Sequence, residues 1–373
     1  MMRFVCLVLF FIFVFPNFLY AKEPMKGIWY GSHVFGNARI IKAAQELLQY
    51  TELNTIVIDY KDDHGTVLNG ERFRALAKPF KMYGARIICR VVTLKDNVWA
   101  RTKGRAYALK SKTDSENLWR DYKGNTYLDP SYREVADYHA QISIRAIQDG
   151  CEMLNYDYIR LPSGRDGRTS DTRYGIPPKG SPRKKIDDDL YEKRRVMQAF
   201  VNGFVADVRQ VYPHTPLAVS IFGYACYGRE PHIGQYLDDF ARHGLVISCM
   251  AYPSHYSCND GAPDPNTIPY EIYLKTHQKA RVYLRQLGLD AVFMPWLQGF
   301  DFHNINGCGL GVSAKGNVVG ISGKRGRRAL YASNPINFRK QIAACNELGI
   351  HSWLIWPSKA AFENRSLYLS KKK

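Results

Sequence analysis

The 373-residue chain is long enough for one large core or two average domains, and 52 lysines and arginines against 34 aspartates and glutamates give it a formal charge of +18. Such a surface attracts anions, but no nucleic-acid recognition signature accompanies it, and nucleic acid is not expected as a partner. The eight cysteines include no Cys-x-x-Cys pair, which argues against structural zinc of the usual spacing.

The first 21 residues read as a secretory leader: Arg3, an apolar run from Phe4 to Phe15, and a small residue at Ala21. A retained N-terminal anchor is the alternative. No later run is long enough to span a membrane, so residues 22–373 are expected to form one exported domain. Cys6 lies in the leader, which leaves an odd number of cysteines and at least one thiol outside any intramolecular pair.

Eight short apolar runs follow. They are "KGIWYGSH" (26–33), "NTIVIDYKD" (54–62), "ARIICRVV" (85–92), "EMLNYDYIR" (152–160), "PLAVSIFG" (216–223), "LVISCMAY" (245–252), "DAVFMPWLQ" (290–298) and "HSWLIWP" (351–357). They are continuous rather than alternating, as strands covered on both faces should be. Helical periodicity separates them at 37–52, 129–150, 187–212, 270–288 and 334–349, with weaker helices at 73–83 and 233–242. Asp129-Pro130 reads as a cap and first turn, and several helices finish at a glycine. This alternation predicts an α/β fold, a (β/α)8 TIM barrel whose last helix is short or absent. An open doubly wound sheet is the rival, but no Gly-rich phosphate turn follows the first strand. Long inserts after strands three, four, six and seven fall on the side where barrels build active sites.

Alternate residues of a strand share a face, so polar residues near strand ends project into one basin. Asp59 with Lys61 comes from strand two, Arg90 from strand three, Asp157 with Arg160 from strand four, Trp296 and Gln298 from strand seven, and Trp356 from strand eight. Asp62, Asp301, Tyr252, His255 and Tyr256 lie just beyond strand ends. These charges could simply neutralise one another as an ion-pair network. Aromatics among carboxylates, however, also suit sugar rings, and glycoside hydrolysis needs two carboxyls flanking the bond. Asp157 is the first choice as nucleophile or base, with Arg160 favouring its charged form. Asp59 or Asp301 is the preferred partner over Asp62 and Glu230. "DDHG" (62–65) reads as a solvated turn rather than a cation site, and no metal or cofactor is expected. Cys226, Cys258 and Cys308 follow strands five, six and seven, where two of them could pair. Cys89 and Cys249 read as buried, inert thiols within strands.

Four stretches carry a family resemblance: "TELNTIVIDYKDDHGTV" (51–67), "YDYIRLP" (156–162), "HIGQYLDDFARHGLVISCMAYPSHY" (232–256), and "WLQGFDF" (296–302) with "NELGIHSWLIWPS" (346–358). At these residues the chain resembles a bacterial family grouped with the glycoside hydrolases through a domain of unknown function. That family is similar to the alpha-amylase-like barrel glycosidases, which implies a barrel and hydrolysis of O-glycosidic bonds. The family usually has phenylalanine where Tyr156 and Leu161 stand, and often an acid where Gly299 stands. Amylase-like enzymes place an acid on strand five that this chain lacks. The resulting expectation is an exported hydrolase of a carbohydrate polymer. Anionic polymers of the cell envelope are among the candidates, and basic loops would help the protein approach them. A carbohydrate-binding barrel without turnover, or an envelope scaffold, is the competing expectation.

Overall fold

The computed structural model describes residues 23–31, 36–111, 117–162, 172–173, 190–262, 264–300, 310–312, 318–320, 335–357 and 370. Eight parallel strands make up the barrel: β1 (Lys26–Tyr30), β2 (Thr55–Lys61), β3 (Arg86–Val92), β4 (Met153–Asp157), β5 (Leu217–Phe222), β6 (Val246–Met250), β7 (Trp296–Gly299) and β8 (Trp353–Pro357). Their hydrogen-bonded order is β6-β5-β4-β3-β2-β1-β8-β7. A parallel bridge between Ile247 and Phe293 joins β6 to the segment leading into β7 and closes the ring. The run expected at 290–298 is therefore a bridge followed by a shorter strand.

Each strand divides its side chains between two dry layers. Val57, Ile88, Met153, Ala218, Val246, Trp296 and Leu354 point inward and fill the lumen. Ile56, Ile58, Ile87, Leu154, Val219, Ile247 and Leu297 point outward into the larger core beneath the helices. Continuous apolar runs are what such two-sided burial requires.

The helices are α1 (Ala38–Tyr50), α2 (Gly70–Lys81), α3 (Arg133–Gln148), α4 (Leu190–Val211), α5 (Leu237–Arg242), α6 (Pro269–Gln286) and α7 (Pro335–Glu347). Asn37 caps α1 and Asn69 caps α2, each accepting from a first-turn backbone N–H. This cap starts α2 earlier than hydrophobic periodicity indicates. Asp129 does not cap α3. Its Oδ1 accepts from the Ser131 backbone N–H (2.9 Å) and hydroxyl (2.6 Å), which makes a turn, and the helix begins four residues later.

Two disulfides tie the wall. Cys89 on β3 joins Cys151 just before β4, and Cys226 joins Cys249 on β6. Cys89 and Cys249 are thus cross-linked rather than free. Cys345 is a buried thiol, and burial pushes its pKa up to about 12. The expected leader at 1–21, residues 358–369 and Cys308 lie outside the described residues. No helix among those described is long and apolar enough to cross a membrane.

Candidate active site

Three neighbouring strands deliver three charges to the mouth at the C-terminal ends. Register places Asp59 of β2 opposite Arg90 of β3, and Asp157 of β4 opposite Val92. The Arg90 guanidinium lies between the carboxylates. Its Nη1 donates to Asp59 Oδ1 (2.9 Å), and its Nε and Nη2 donate to Asp157 Oδ2 (2.9 and 2.7 Å). Two hydrogen bonds and one guanidinium separate the acids, which places those oxygens within about 8 Å of each other. Glycosidase carboxyls stand roughly 5 to 10 Å apart.

Aromatic rings enclose this triad. Trp29 of β1 stacks on Trp356 of β8 with centroids 4.1 Å apart, and both rings lie near the Arg90 guanidinium, at 5.7 and 5.1 Å. The Trp29 indole N–H donates to Asp59 Oδ1 (2.8 Å). Below, Trp296 meets Trp356 edge-on and donates to the Ser220 hydroxyl (2.8 Å). Ser220 donates to Asn155 (2.6 Å), whose amide donates to Ser248 (3.1 Å), so β4 to β7 are bridged by polar contacts under the site. Tyr252, His255 and Phe300 form a further aromatic group at the ends of β6 and β7.

One cation stands against two carboxylates, and both are hydrogen-bonded to it. Burial raises the Asp59 pKa above the usual carboxylate range, against the opposing pull of Arg90 and the Trp29 N–H. Desolvation works against the Arg90 charge, but Asp59 and Asp157 outweigh it, and the guanidinium stays protonated. Among the described residues, the hydrogen bonds that Asp59 accepts, from Trp29 and Arg90, both go to Oδ1. Asp157 differs. Its Oδ2 takes two bonds from Arg90, and its Oδ1 accepts the backbone N–H of Tyr158 (2.7 Å). Tyr158 has φ +51°, the only positive value at a non-glycine residue among those described, and sits immediately beside this carboxylate.

Several expected residues lie elsewhere. Lys61 is fully buried outside the lumen, because one extra residue in β2, Tyr60, shifts the register between Asp59 and Lys61. Its ammonium binds Asp96 (3.0 Å) and the carbonyls of Val92, Thr93 and Lys95, sharing Thr93 with His139 of α3. Tyr256 packs in the outer core, where its hydroxyl pairs with Thr276 of α6 (2.8 Å). Gln298 is committed to structure: its carbonyl accepts the Ser254 backbone N–H and hydroxyl, and its amide donates to Asn266 and Phe300. Arg160 stacks against Tyr158 and Phe222, each at 4.8 Å, and Arg90 rather than Arg160 carries the ion pair to Asp157. Asp62 accepts the N–H groups of His64 and Thr66 within a tight turn. Asp301 falls outside the described residues. Sequence reading missed Trp29, whose signal was parity: it is the penultimate residue of β1 as Trp356 is of β8.

A closed parallel barrel with paired acids and stacked indoles at its C-terminal mouth has the build of a glycoside hydrolase. Residues 27–310 match the family described as "Putative glycosyl hydrolase domain", and the chain belongs to that family. Among curated proteins, no sequence matches this one. Among solved structures it is similar to the PgaB (BpsB) glycoside hydrolase domain from Bordetella bronchiseptica, with 13% identity, 94% of this chain and 99% of that one covered, and a TM-score of 0.58. An alpha-galactosidase from Geobacillus stearothermophilus, in complex with raffinose, shares 11% identity over 92% of this chain and 40% of its own, with a TM-score of 0.50. A hypothetical protein from Ruminiclostridium thermocellum is 23% identical over 52% of this chain and 96% of its own, with a TM-score of 0.38. At these identities the likeness is one of fold.

Proposed function

We propose that this protein is an exported hydrolase of O-glycosidic bonds in a polysaccharide, working through Asp59 and Asp157. The observation that carries the reading is the pair of buried carboxylates held across Arg90 beneath the Trp29–Trp356 stack. Asp59, with its raised pKa, suits the general acid that protonates the leaving oxygen as the C–O bond breaks. Asp157, held by Arg90, suits the carboxylate that meets the anomeric carbon directly or activates water toward it. Water completes the hydrolysis and restores the proton to Asp59.

Export is supported by the leader-like N-terminus and by two disulfides, which persist in oxidising compartments. The insert after β3 exposes Arg101, Lys103, Arg105, Arg120 and Lys123, which favours an anionic or envelope-bound polymer.

One observation favours the second reading, a barrel that binds sugar without cleaving it. The Asp157 side chain is only 7% exposed and both its oxygens are engaged. A panel of polysaccharides separates the two, comparing wild type with Asp59→Asn and Asp157→Asn for turnover and for binding. Hydrolysis lost at least a hundredfold in both variants, with binding retained, is the expected result. Turnover equal in all three proteins removes these acids from the chemistry.

A further inference from the structure

The loop after β6 carries two tyrosines four residues apart, and their hydroxyls have opposite fates. Tyr256 bonds Thr276 in the outer core. Tyr252 is 7% exposed, lies in the lumen cluster with Trp296, and its enclosed hydroxyl has no hydrogen-bond partner. Other enclosed groups without partners, such as those of Tyr132 and Trp353, sit in the outer layer. Tyr252, by contrast, belongs to the lumen layer at the end of β6.

Its placement is fixed. Gln298 holds the adjoining turn through the Ser254 backbone N–H (3.1 Å) and hydroxyl (3.0 Å), while His255 and Phe300 pack against the Tyr252 ring at 5.4 and 5.2 Å. The phenol is close enough to Asp157 and Arg90 to feel both charges, and burial keeps it protonated. A fixed donor, dry and unpaired near Asp157, is unfavourable to folding unless something else completes it.

We infer that Tyr252 is a substrate-contacting residue: its hydroxyl donates to a hydroxyl oxygen of the sugar ring bound at Asp59 and Asp157. This rests on the glycosidase reading and adds to it a polar specificity determinant. A site built to bond a substrate hydroxyl discriminates strongly against sugars that lack it, because the protein group is then left unpaired. The donor also explains how a mouth lined by indoles orients a sugar as well as stacking it.

The two tyrosines provide the experiment. Tyr252→Phe and Tyr256→Phe are compared with wild type for Tm and for kcat/KM on the polysaccharide that wild type cleaves, with Asp157→Asn run alongside. For Tyr252→Phe, kcat/KM falls ten- to a hundredfold while Tm is unchanged or higher, since an unpaired hydroxyl has been removed. For Tyr256→Phe, Tm falls and kcat/KM holds, because a bonded hydroxyl has been removed away from the mouth. A Tyr252→Phe enzyme within twofold of wild type, beside an inactive Asp157→Asn, overturns the inference and leaves the glycosidase reading standing. If Asp157→Asn is also fully active, that reading falls with it. A drop in Tm for Tyr252→Phe as large as that for Tyr256→Phe also overturns the inference.

Discussion

Arg90→Met removes the one cation between Asp59 and Asp157 while keeping an apolar stem beneath the tryptophans. The variant loses three hydrogen bonds of 2.7 to 2.9 Å and leaves two carboxylates in a site where each is at most 7% exposed. Breaking a buried ion pair from one side destabilises by about 3–5 kcal/mol, and two stranded acids put this case near the upper end at neutral pH. The loss depends on pH. Without Arg90 the folded pair holds a proton far more tightly than the unfolded chain does, so the damage shrinks as pH falls through the raised folded pKa. It is smallest below the ordinary carboxylate value, and a tenfold gain in proton affinity is worth about 1.4 kcal/mol. Urea denaturation of wild type and variant at pH 7 and pH 4.5 measures the effect. Adding Asp59→Asn and Asp157→Asn to Arg90→Met recovers most of the stability. A penalty that is the same at both pH values, or no recovery in the triple variant, refutes the account of one cation balancing two acids.

Lys61→Met leaves Asp96 without its ammonium and destabilises by roughly 3 kcal/mol. Its folded fraction keeps wild-type turnover, and a selective loss of activity would show that Lys61 acts in the mouth after all. Burial, with Lys61 nearby, lowers the His139 pKa to about 3 and keeps the ring neutral, and burial lowers that of His277 to about 4. The unfolded chain takes up those protons below its ordinary value of about 6.5, so each histidine's contribution is intact above that pH and is lost as pH falls toward the folded value, at about 1.4 kcal/mol for every pH unit crossed. His139→Asn flattens the acid limb of a stability–pH curve, and an unchanged limb would contradict this. The disulfides close sequence separations of 62 and 23 residues, worth about 4 and 3 kcal/mol by chain entropy. Serine pairs at Cys89/Cys151 and at Cys226/Cys249 should lower denaturation midpoints in that order, and equal midpoints with and without reductant would contradict it.

The barrel was legible because strands buried on both faces cannot hide. Each of the eight runs overlaps an observed strand, and alternation alone brought Asp59, Arg90, Asp157, Trp296 and Trp356 to one end. What it could not reveal were events that break alternation or depend on partners far apart in sequence. The shift at Tyr60 has no glycine or turn residue to announce it, so Lys61 read as facing the basin. Cys89 and Cys151 meet because β3 and β4 are neighbours, a fact of the assembled ring. Tyr256 and Tyr252 look alike in "AYPSHY", and only the turn at Pro253–His255 sends one ring inward and the other outward. Asn69 shows how a single polar cap can outweigh the periodicity that follows it.

The surplus residue in β2 makes the mouth unequally sensitive to two kinds of change. Exchanging one apolar side chain for another near Asp59 alters packing by degrees. The extra residue keeps Lys61 level with Val91 on the outer face; a β2 that kept Tyr60 in unbroken alternation would bring that ammonium into a cavity laid out for one guanidinium, upsetting its charge in a single step. Chemistry at this rim therefore depends on the register of β2 as much as on the identity of its charged residues.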